Sequence, residues 1–192
     1  MPRPAERPVR HDGRGWRRLL VVADSHGEIA APLLELARGV DGVVHAGDIG
    51  AAGVLERLGA FAPCLAVRGN NDTPQAWPAA GHATLADLPA VACLALPGGD
   101  LIVLHGHQYP HAAQRHAALR RDYPAARAIV YGHSHKLVVD AAAQPWVLNP
   151  GACGRARVGP GASGLVISIA GDEWTVEVAG PFVPAPRRRL SA

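Results

Sequence analysis

Short apolar runs that alternate with helical segments open this chain, and they constrain its fold more than any other feature. Leu19–Ala23, Val43–His45 and Cys64–Val67 are predicted strands because each is short and apolar. Between them, Ile29–Arg38 and Ala51–Leu58 are predicted helices, and a glycine follows each one as a stop signal. This β-α-β-α-β order predicts parallel strands joined by right-handed crossovers.

The pattern changes after the third strand, and short strands then predominate. Thr84–Leu88, Val91–Leu96 and Leu101–His105 are predicted strands, and His111–Arg121 is a predicted helix. Parallel units followed by a meander predict an α/β fold in which two sheets pack face to face with helices outside. The remaining predicted strands are Ala128–Tyr131, Leu137–Asp140, Trp146–Asn149, Leu165–Ile169 and Trp174–Val178.

The length of 192 residues is typical of one domain, since domains commonly have ~100–200 residues. The net charge of +3 comes from the ends, because residues 19–186 contain ten basic and fourteen acidic residues. We therefore predict a flexible basic tail at residues 1–18, a folded domain at 19–180 and a Pro/Arg-rich tail at 181–192. Arginine-rich tails could instead contact nucleic acid, which would make binding strongly salt-dependent.

The sequence favours a cytoplasmic protein without a membrane partner. No apolar run approaches the ~18 residues of a membrane span. Met1–Gly15 lacks the apolar core of a secretory signal. The three cysteines, Cys64, Cys93 and Cys153, are odd in number and form no Cys-x-x-Cys pair, which favours a reducing compartment.

Polar side chains follow five of the predicted strands, at the point where each strand ends. In open α/β sheets, ligands bind outside the carboxyl ends of the strands. Residues i and i+2 of an extended segment point to the same side, so Asp24 with His26, and His133 with His135, can each offer two ligands to one cleft. The five segments are Asp24-Ser25-His26, Gly47-Asp48, Gly69-Asn70-Asn71-Asp72, His105-Gly106-His107 and Gly132-His133-Ser134-His135.

Together these segments predict a divalent metal centre. Carboxylate, amide oxygen and imidazole suit Mn, Fe, Co, Ni or Zn, and the segments contain no thiolate that would select a softer metal. Two ions that share one carboxylate need about seven protein ligands, which the segments can supply. Each motif alone has a simpler interpretation as a turn or loop. We interpret His45 as a hydrogen-bonded core residue, and the remaining histidines as solvated: His11, His82, His111 and His116.

The succession of motifs resembles the calcineurin-like metallophosphoesterases. More narrowly, it resembles their small single-domain phosphodiesterases of bacterial and archaeal type, which are related to the retromer subunit Vps29. The resemblance extends roughly from Leu19 to Val178, and Asn149-Pro150-Gly151 also matches, with Ala152 where a serine is usual. It implies a four-layer α/β/β/α sandwich of two mixed sheets.

The resemblance also implies a set of ligands for two divalent ions. We expect Mn, with Ni, Fe, Co or Zn as alternatives. In that assignment Asp24, His26 and His135 bind one ion, Asn70, His105 and His133 bind the other, and Asp48 bridges them.

The chain departs from the family pattern at Asn71, where many members have a histidine that is thought to protonate the leaving group. An amide can hydrogen-bond substrate but cannot act as an acid near pH 7. Because general-acid catalysis contributes about 10²–10⁴-fold, we expect slow turnover and a preference for good leaving groups, or a substrate that brings its own acid. We expect His107 to orient the site or contact substrate, Asp72 to hydrogen-bond a ligand or substrate or to cap a turn, and Arg155 to contact phosphate or remain solvated.

The predicted function is that of a metal-dependent phosphodiesterase acting on nucleotides or other small phosphodiesters. Two ions about 3.5–4 Å apart can hold a bridging hydroxide that attacks phosphorus in line. The alternative is a non-catalytic, Vps29-like scaffold for protein interactions. The resemblance implies that such a scaffold has lost some of these ligands, whereas all seven positions are filled here.

Overall fold

The computed structural model describes residues 7–154 and 161–182. Helices in this part of the chain are α1 (Ala31–Ala37), α2 (Ala52–Gly59), α3 (His82–Asp87) and α4 (Arg115–Asp122). None of them has the length and apolar character needed to cross a bilayer.

The strands form two mixed sheets. The first contains β1 (Val9–Asp12), β5 (Val91–Leu96), β6 (Gly99–Leu104), β7 (Ala128–Val130), β8 (Leu137–Asp140) and β9 (Trp146–Pro150), in the spatial order β1-β5-β6-β7-β9-β8. The second contains β2 (Arg18–Val22), β3 (Gly42–His45), β4 (Cys64–Ala66), β10 (Ala162–Ala170) and β11 (Glu173–Phe182), in the order β11-β10-β2-β3-β4.

Each sheet has a parallel centre. Strands β2, β3 and β4 pair in parallel in the second sheet, and β6, β7 and β9 do so in the first. Strand β5 is antiparallel to β6, β8 is antiparallel to β9, and β10 is antiparallel to β2, which makes both sheets mixed. The parallel strands of each sheet therefore bring their carboxyl ends, and the loops that follow them, to one edge.

Side chains that alternate along a strand pack into different layers of the sandwich. On β2, Leu19 and Val21 face a core between the two sheets, whereas Leu20 and Val22 pack in a second core with residues of α1 and α2. Leu119 of α4 packs with other apolar side chains in a third core on the outer face of the first sheet. Because successive strand side chains point to opposite faces, one apolar run serves two layers. The predicted four-layer α/β/β/α sandwich is confirmed.

Two local predictions differ from the structure. Thr84–Leu88 was expected to be a strand but lies mostly in α3, where Leu85 is the buried side chain. One buried position among alanine and polar residues suits a short helix better than an alternating strand. The predicted flexible tail also contains β1, which pairs in parallel with β5. An edge strand can be held by main-chain pairing without an apolar pattern, and Val9 is exposed.

The ring of Trp16 occupies space that only a glycine at position 42 leaves open. A Cβ atom built on Gly42 overlaps this ring, which packs against the core between the sheets. We expect Gly42→Ala to lower the free energy of unfolding by about 1–3 kcal/mol.

The matched control is Gly53→Ala on α2, where a Cβ atom would meet nothing within 4 Å. It should be neutral or slightly stabilising, because alanine is the better helix former. Urea unfolding monitored by fluorescence measures both variants, and equal stabilities would contradict the packing argument.

Candidate metal centre

The loops after the parallel strands of both sheets meet at one edge of the sandwich. Asp24 follows β2 and Asp48 follows β3, while His105 follows β6 and both His133 and His135 follow β7. Main-chain hydrogen bonds join these loops: Asp24 N to Gly47 O at 2.9 Å, and Gly132 N to His105 O at 3.0 Å. The backbone N–H of His133 donates to Oδ1 of Asp24 at 3.1 Å, which connects the loops of the two sheets.

Five of the predicted ligands have a left-handed backbone. Such a conformation costs roughly 1–2 kcal/mol for a residue with a Cβ atom. Strain of this kind persists where the surrounding structure imposes it, and it is concentrated at functional sites. Asp24, His26, Asp48, His133 and His135 have φ between 48° and 64°, and they are all the non-glycine residues with positive φ in the described part of the chain.

Two groups of side chains have the spacing of metal ligands. One atom each of Asp24, His26 and His135 lies within 4.8 Å of the others, and the same holds for Asp24, Asp48 and His105. In the first group, Nε2 of His26 lies 3.2 Å from Nε2 of His135, which in turn lies 3.5 Å from Oδ1 of Asp24. The clusters combine the oxygen and imidazole ligands that divalent transition metals use.

Asp48 lies between the two halves of the cluster. Its Oδ1 is 3.3 Å from Nε2 of His105, and its Oδ2 is 3.9 Å from Nε2 of His26. Each oxygen of this carboxylate therefore faces a histidine from a different half, as a bridging carboxylate would.

Buried acceptors in the cluster lack a hydrogen-bond donor. Nδ1 of His105 donates to the carbonyl of Ala46 at 2.8 Å, so in the neutral ring Nε2 carries the free lone pair. This Nε2 and Oδ2 of Asp24 are both buried and make no hydrogen bond within the described residues. Unsatisfied buried acceptors are rare in folded proteins, and a bound cation would satisfy both of them. The residues therefore fit a divalent metal.

Burial and charge act on the carboxylates in opposite directions. Burial, together with the negative charge of Asp48, raises the pKa of Asp24 to about 7. Burial also favours a raised pKa for Asp48, but His105 and hydrogen bonds from Asn71 outweigh it and hold that pKa well below its usual range. Burial opposes protonation of His105, yet Asp48 and Asp24 raise its pKa. The charge of His105 lowers the pKa of Asp24, but burial outweighs it.

Asn71 contacts the cluster directly. Its backbone N–H donates to Oδ1 of Asp48 at 2.9 Å, and its side-chain amide donates to Oδ2 at 2.6 Å. Asn70, which the family pattern assigns to the second ion, is exposed on the same loop. The amide at position 71 thus holds the Asp48 carboxylate in place.

Asp72 lies beneath the site, where it is 3% exposed and accepts four hydrogen bonds. Its Oδ1 accepts from the backbone N–H groups of Ile49 and Gly50 and from Nε1 of Trp77, and its Oδ2 accepts from the backbone of Gly69, all at 2.8–2.9 Å. The carboxylate therefore ties the Asp48 loop to the Gly69–Asp72 loop, and it is engaged with donors of the protein itself.

The remaining histidines of the site lie on its other side. The ring of His133 is 5.3 Å from that of His105, and the ring of His107 is 5.6 Å from it, measured between centroids. Burial lowers the pKa of both His107 and His133, and the charge of His105 lowers each further. Arg155, which was expected near phosphate, lies outside the described residues.

The positioning role of Asn149 was not predicted from the sequence. This residue is fully buried at the end of β9, and its amide donates to Gly132 O at 2.7 Å and to Oγ of Ser134 at 3.1 Å. It thereby holds the loop that carries His133 and His135. The signal was present, because a polar residue directly follows the apolar run Trp146–Leu148, as in the five ligand segments.

Three other histidines form hydrogen bonds within the described part of the protein. His82 was expected to be solvated, but it is half-buried, with Nε2 3.2 Å from the carbonyl oxygen of Trp77. His45 is fully buried and hydrogen-bonded, as predicted: it accepts from Gly47 N at 3.2 Å and lies 2.9 Å from Oγ of Ser25. His116 was expected to be solvated, but it is half-buried between Asp140, at 2.7 Å, and the hydroxyl of Tyr131, at 3.1 Å. A helical pattern alone does not reveal a partner on another element.

Comparisons with known proteins identify the family. The model of the calcineurin-like phosphoesterase superfamily domain matches residues 18–172. The chain belongs to this superfamily. It is 24% identical over 172 residues to a probable metallophosphoesterase from Methanothermobacter thermautotrophicus, which covers 87% of this chain and 94% of that protein.

Solved structures have the same fold at low sequence identity. Vps29 of Entamoeba histolytica in complex with zinc has a TM-score of 0.67 at 20% identity, covering 84% of this chain and 91% of that one. An archaeal phosphodiesterase has a TM-score of 0.64 at 20% identity, covering 84% of this chain and 99% of that one.

The buried His45 predicts a pH dependence of stability. Burial lowers its pKa to about 4, whereas in the unfolded chain it titrates near 6.5. Between these values the unfolded state binds a proton that the folded state does not, so the free energy of unfolding falls as the pH falls. The contribution of this one group is at most about 1.4 kcal/mol per pH unit.

Urea unfolding of the metal-free protein at pH 4.5–7.0 measures this dependence. His45→Asn keeps an acceptor for Gly47 N and removes the titrating ring, so the variant should have a shallower slope. Parallel pH profiles for the two proteins would refute the assignment.

Proposed function

We propose that this protein is a cytoplasmic metal-dependent phosphodiesterase that hydrolyses small phosphodiesters, including nucleotides. The observation that carries the proposal is the burial of Asp24 and Asp48 in one cluster with His26, His105 and His135, where buried acceptors lack donors. Membership of the calcineurin-like phosphoesterase superfamily supports phosphoester hydrolysis, and the fold shared with an archaeal phosphodiesterase supports the choice of diesters. The free state of the three cysteines suits a reducing compartment.

Each half of the cluster would hold one ion. We assign Asp24, His26 and His135 to one ion, Asn70, His105 and His133 to the other, and Asp48 to both. The oxygen and imidazole donors suit Mn, with Ni, Fe, Co or Zn as alternatives. Two ions held in this way would supply an activated water and neutralise charge on the phosphoryl oxygens.

The protein's own side chains position the reacting groups. Asn71 orients the Asp48 carboxylate through two hydrogen bonds and can also donate to substrate. His107 is half-buried beside His105 and His133, where a substrate oxygen could reach it. Asn71 cannot protonate the leaving group. Diesters whose leaving groups depart without protonation are therefore favoured.

The first test is hydrolysis of bis-p-nitrophenyl phosphate and p-nitrophenyl phosphate by protein stripped with EDTA and then supplied with Mn²⁺. We expect activity on the diester, little on the monoester, and none before metal is added. Asp48→Asn should lower kcat/KM on the diester by more than about 100-fold, since even an outer partner of a metal ligand contributes about 10- to 100-fold.

The control is Asp87→Asn, the same chemical change at an exposed position on α3. It should retain wild-type activity. Equal rates for the Asp48 and Asp87 variants would rule out a bridging role for Asp48.

The second test concerns the missing acid. Asn71→His places an imidazole where the amide now contacts Asp48, and it should raise activity on diesters with alkyl leaving groups more than on p-nitrophenyl esters. General-acid catalysis contributes about 10²–10⁴-fold, which sets the upper limit of the expected gain in rate. Asn71→Ala, which loses the same hydrogen bond without adding an acid, is the control. If the two variants have the same leaving-group dependence, position 71 lies away from the departing oxygen.

The alternative function is a non-catalytic scaffold for protein partners. The fold shared with Vps29 supports it, and so do the exposed side chains of Leu137 and Val139 on the edge strand β8, which begins two residues after His135. The filled set of ligand positions favours the enzyme. A metal-loaded protein without hydrolytic activity on any diester would favour the scaffold.

A further inference from the structure

Arg115 is a buried cation close to the metal-ligand loops. It is the first residue of α4 and is 7% exposed. Its Nε donates to the carbonyl of Tyr109 at 2.9 Å, and its guanidinium lies 5.5 Å from the centre of the Tyr131 ring. Tyr131 directly precedes the Gly132-His133 segment, so the guanidinium stands beside the loop that carries two predicted ligands.

Nothing in the described part of the chain neutralises this charge. Within residues 7–154 and 161–182, no carboxylate lies within 4.0 Å of the Arg115 guanidinium, and its two Nη groups make no hydrogen bond. By contrast, Arg120 and Arg121 of the same helix pair with Asp140 and Asp122. Buried charges are normally paired, because desolvating an unpaired ion is expensive.

The position of Arg115 makes an unpaired charge still less favourable. The amino terminus of a helix carries partial positive charge and favours anions, yet the first turn of α4 contains no acidic residue. A cation at this end therefore interacts unfavourably with the partial positive charge of the helix terminus. An anion bound beside it would remove both penalties.

A second arginine lies on the same side of the cluster. Arg68 is exposed directly before Gly69-Asn70. The backbone of Gly69 lies near the ring of His105, because a Cβ atom built on Gly47 would contact both. The Tyr131 ring beside Arg115 lies near Gly106, which connects His105 to His107. Both arginines therefore lie on the side of the cluster formed by His105 and His107.

We propose that Arg115, assisted by Arg68, binds a second anionic group of the substrate, a phosphate next to the scissile diester. This inference rests on the proposed phosphodiesterase function and narrows its substrate class to diesters that carry an additional phosphate. The scissile phosphate belongs over the Asp24–Asp48 cluster, where bound ions would take its oxygens. The arginines stand to one side of that cluster, where the neighbouring group of the substrate would lie.

Two substrates that differ only in the additional phosphate test the proposal. Thymidine 5′-(p-nitrophenyl phosphate) and its 3′-phosphorylated counterpart carry the same scissile ester and the same leaving group. We expect the wild-type, Mn²⁺-loaded enzyme to prefer the 3′-phosphorylated compound by about 10- to 100-fold in kcat/KM, as a charge-assisted hydrogen bond allows. The preference should lie mainly in KM.

Arg115→Met keeps much of the apolar stem of the side chain and removes the charge, together with the hydrogen bond from Nε to the carbonyl of Tyr109. It should reduce the preference to about one while leaving hydrolysis of the simple diester within about threefold of wild type, because the scissile phosphate is bound elsewhere. Arg68→Ala, at an exposed site that does not threaten folding, should reduce the preference in part. Arg121→Met, an exposed arginine on the same helix, should leave it unchanged.

A binding measurement separates this inference from the proposed activity. Isothermal titration of Mn²⁺-loaded protein with thymidine 3′,5′-bisphosphate and thymidine 5′-monophosphate gives the same comparison without turnover. Tighter binding of the bisphosphate that disappears in Arg115→Met supports the second subsite even if no diester is cleaved.

The proposal is overturned if wild type does not discriminate between the two nucleotides. It is also overturned if a folded Arg115→Met protein, with an unchanged thermal midpoint, keeps the preference or loses activity equally on both substrates. If Arg115→Met does not fold, the Arg68→Ala comparison decides, and an unchanged preference in that variant counts against the subsite.

Discussion

Two buried carboxylates that cannot both be ionised without a counter-charge determine the rest of this structure. Asp24 and Asp48 are 0% and 2% exposed, and burial together with its neighbour's charge raises the pKa of Asp24 to about 7. Like charges this close in a poorly solvated site need nearby cations. Histidines from the loops of both sheets surround these carboxylates, and five of the predicted ligands have a left-handed backbone. Metal bound in this cluster would supply the positive charge that the carboxylates need.

Residues outside the ligand set hold this arrangement in place. Asp72 fastens two loops of the second sheet through backbone N–H groups, and Asn149 fastens the histidine loop of the first sheet. Both are buried and their polar atoms are largely satisfied by the protein itself. Such fixed partners orient metal ligands before any ion binds, which is why ligand geometry depends on them almost as much as on the ligands.

Much of the fold could be predicted because its signals are local. The apolar runs of β2, β3 and β4 and the glycines after α1 and near the end of α2 follow from short-range pattern, and the strand ends indicated where the ligands would gather. Strand β1 and the partners of His116 could not be predicted. An edge strand held by main-chain pairing needs no side-chain pattern, and His116 bonds to residues that other elements deliver.

The amino-acid sequence by itself determined the order of most elements, the family and the kinds of side chain that follow each strand, since these depend on neighbours along the chain. Only the tertiary structure decided what those side chains do. It turned Asp72 inward onto four donors, placed Asn71 against Asp48, and buried Arg115 without an acidic partner. These outcomes depend on backbone angles and on contacts between residues far apart in sequence, so no local pattern contains them.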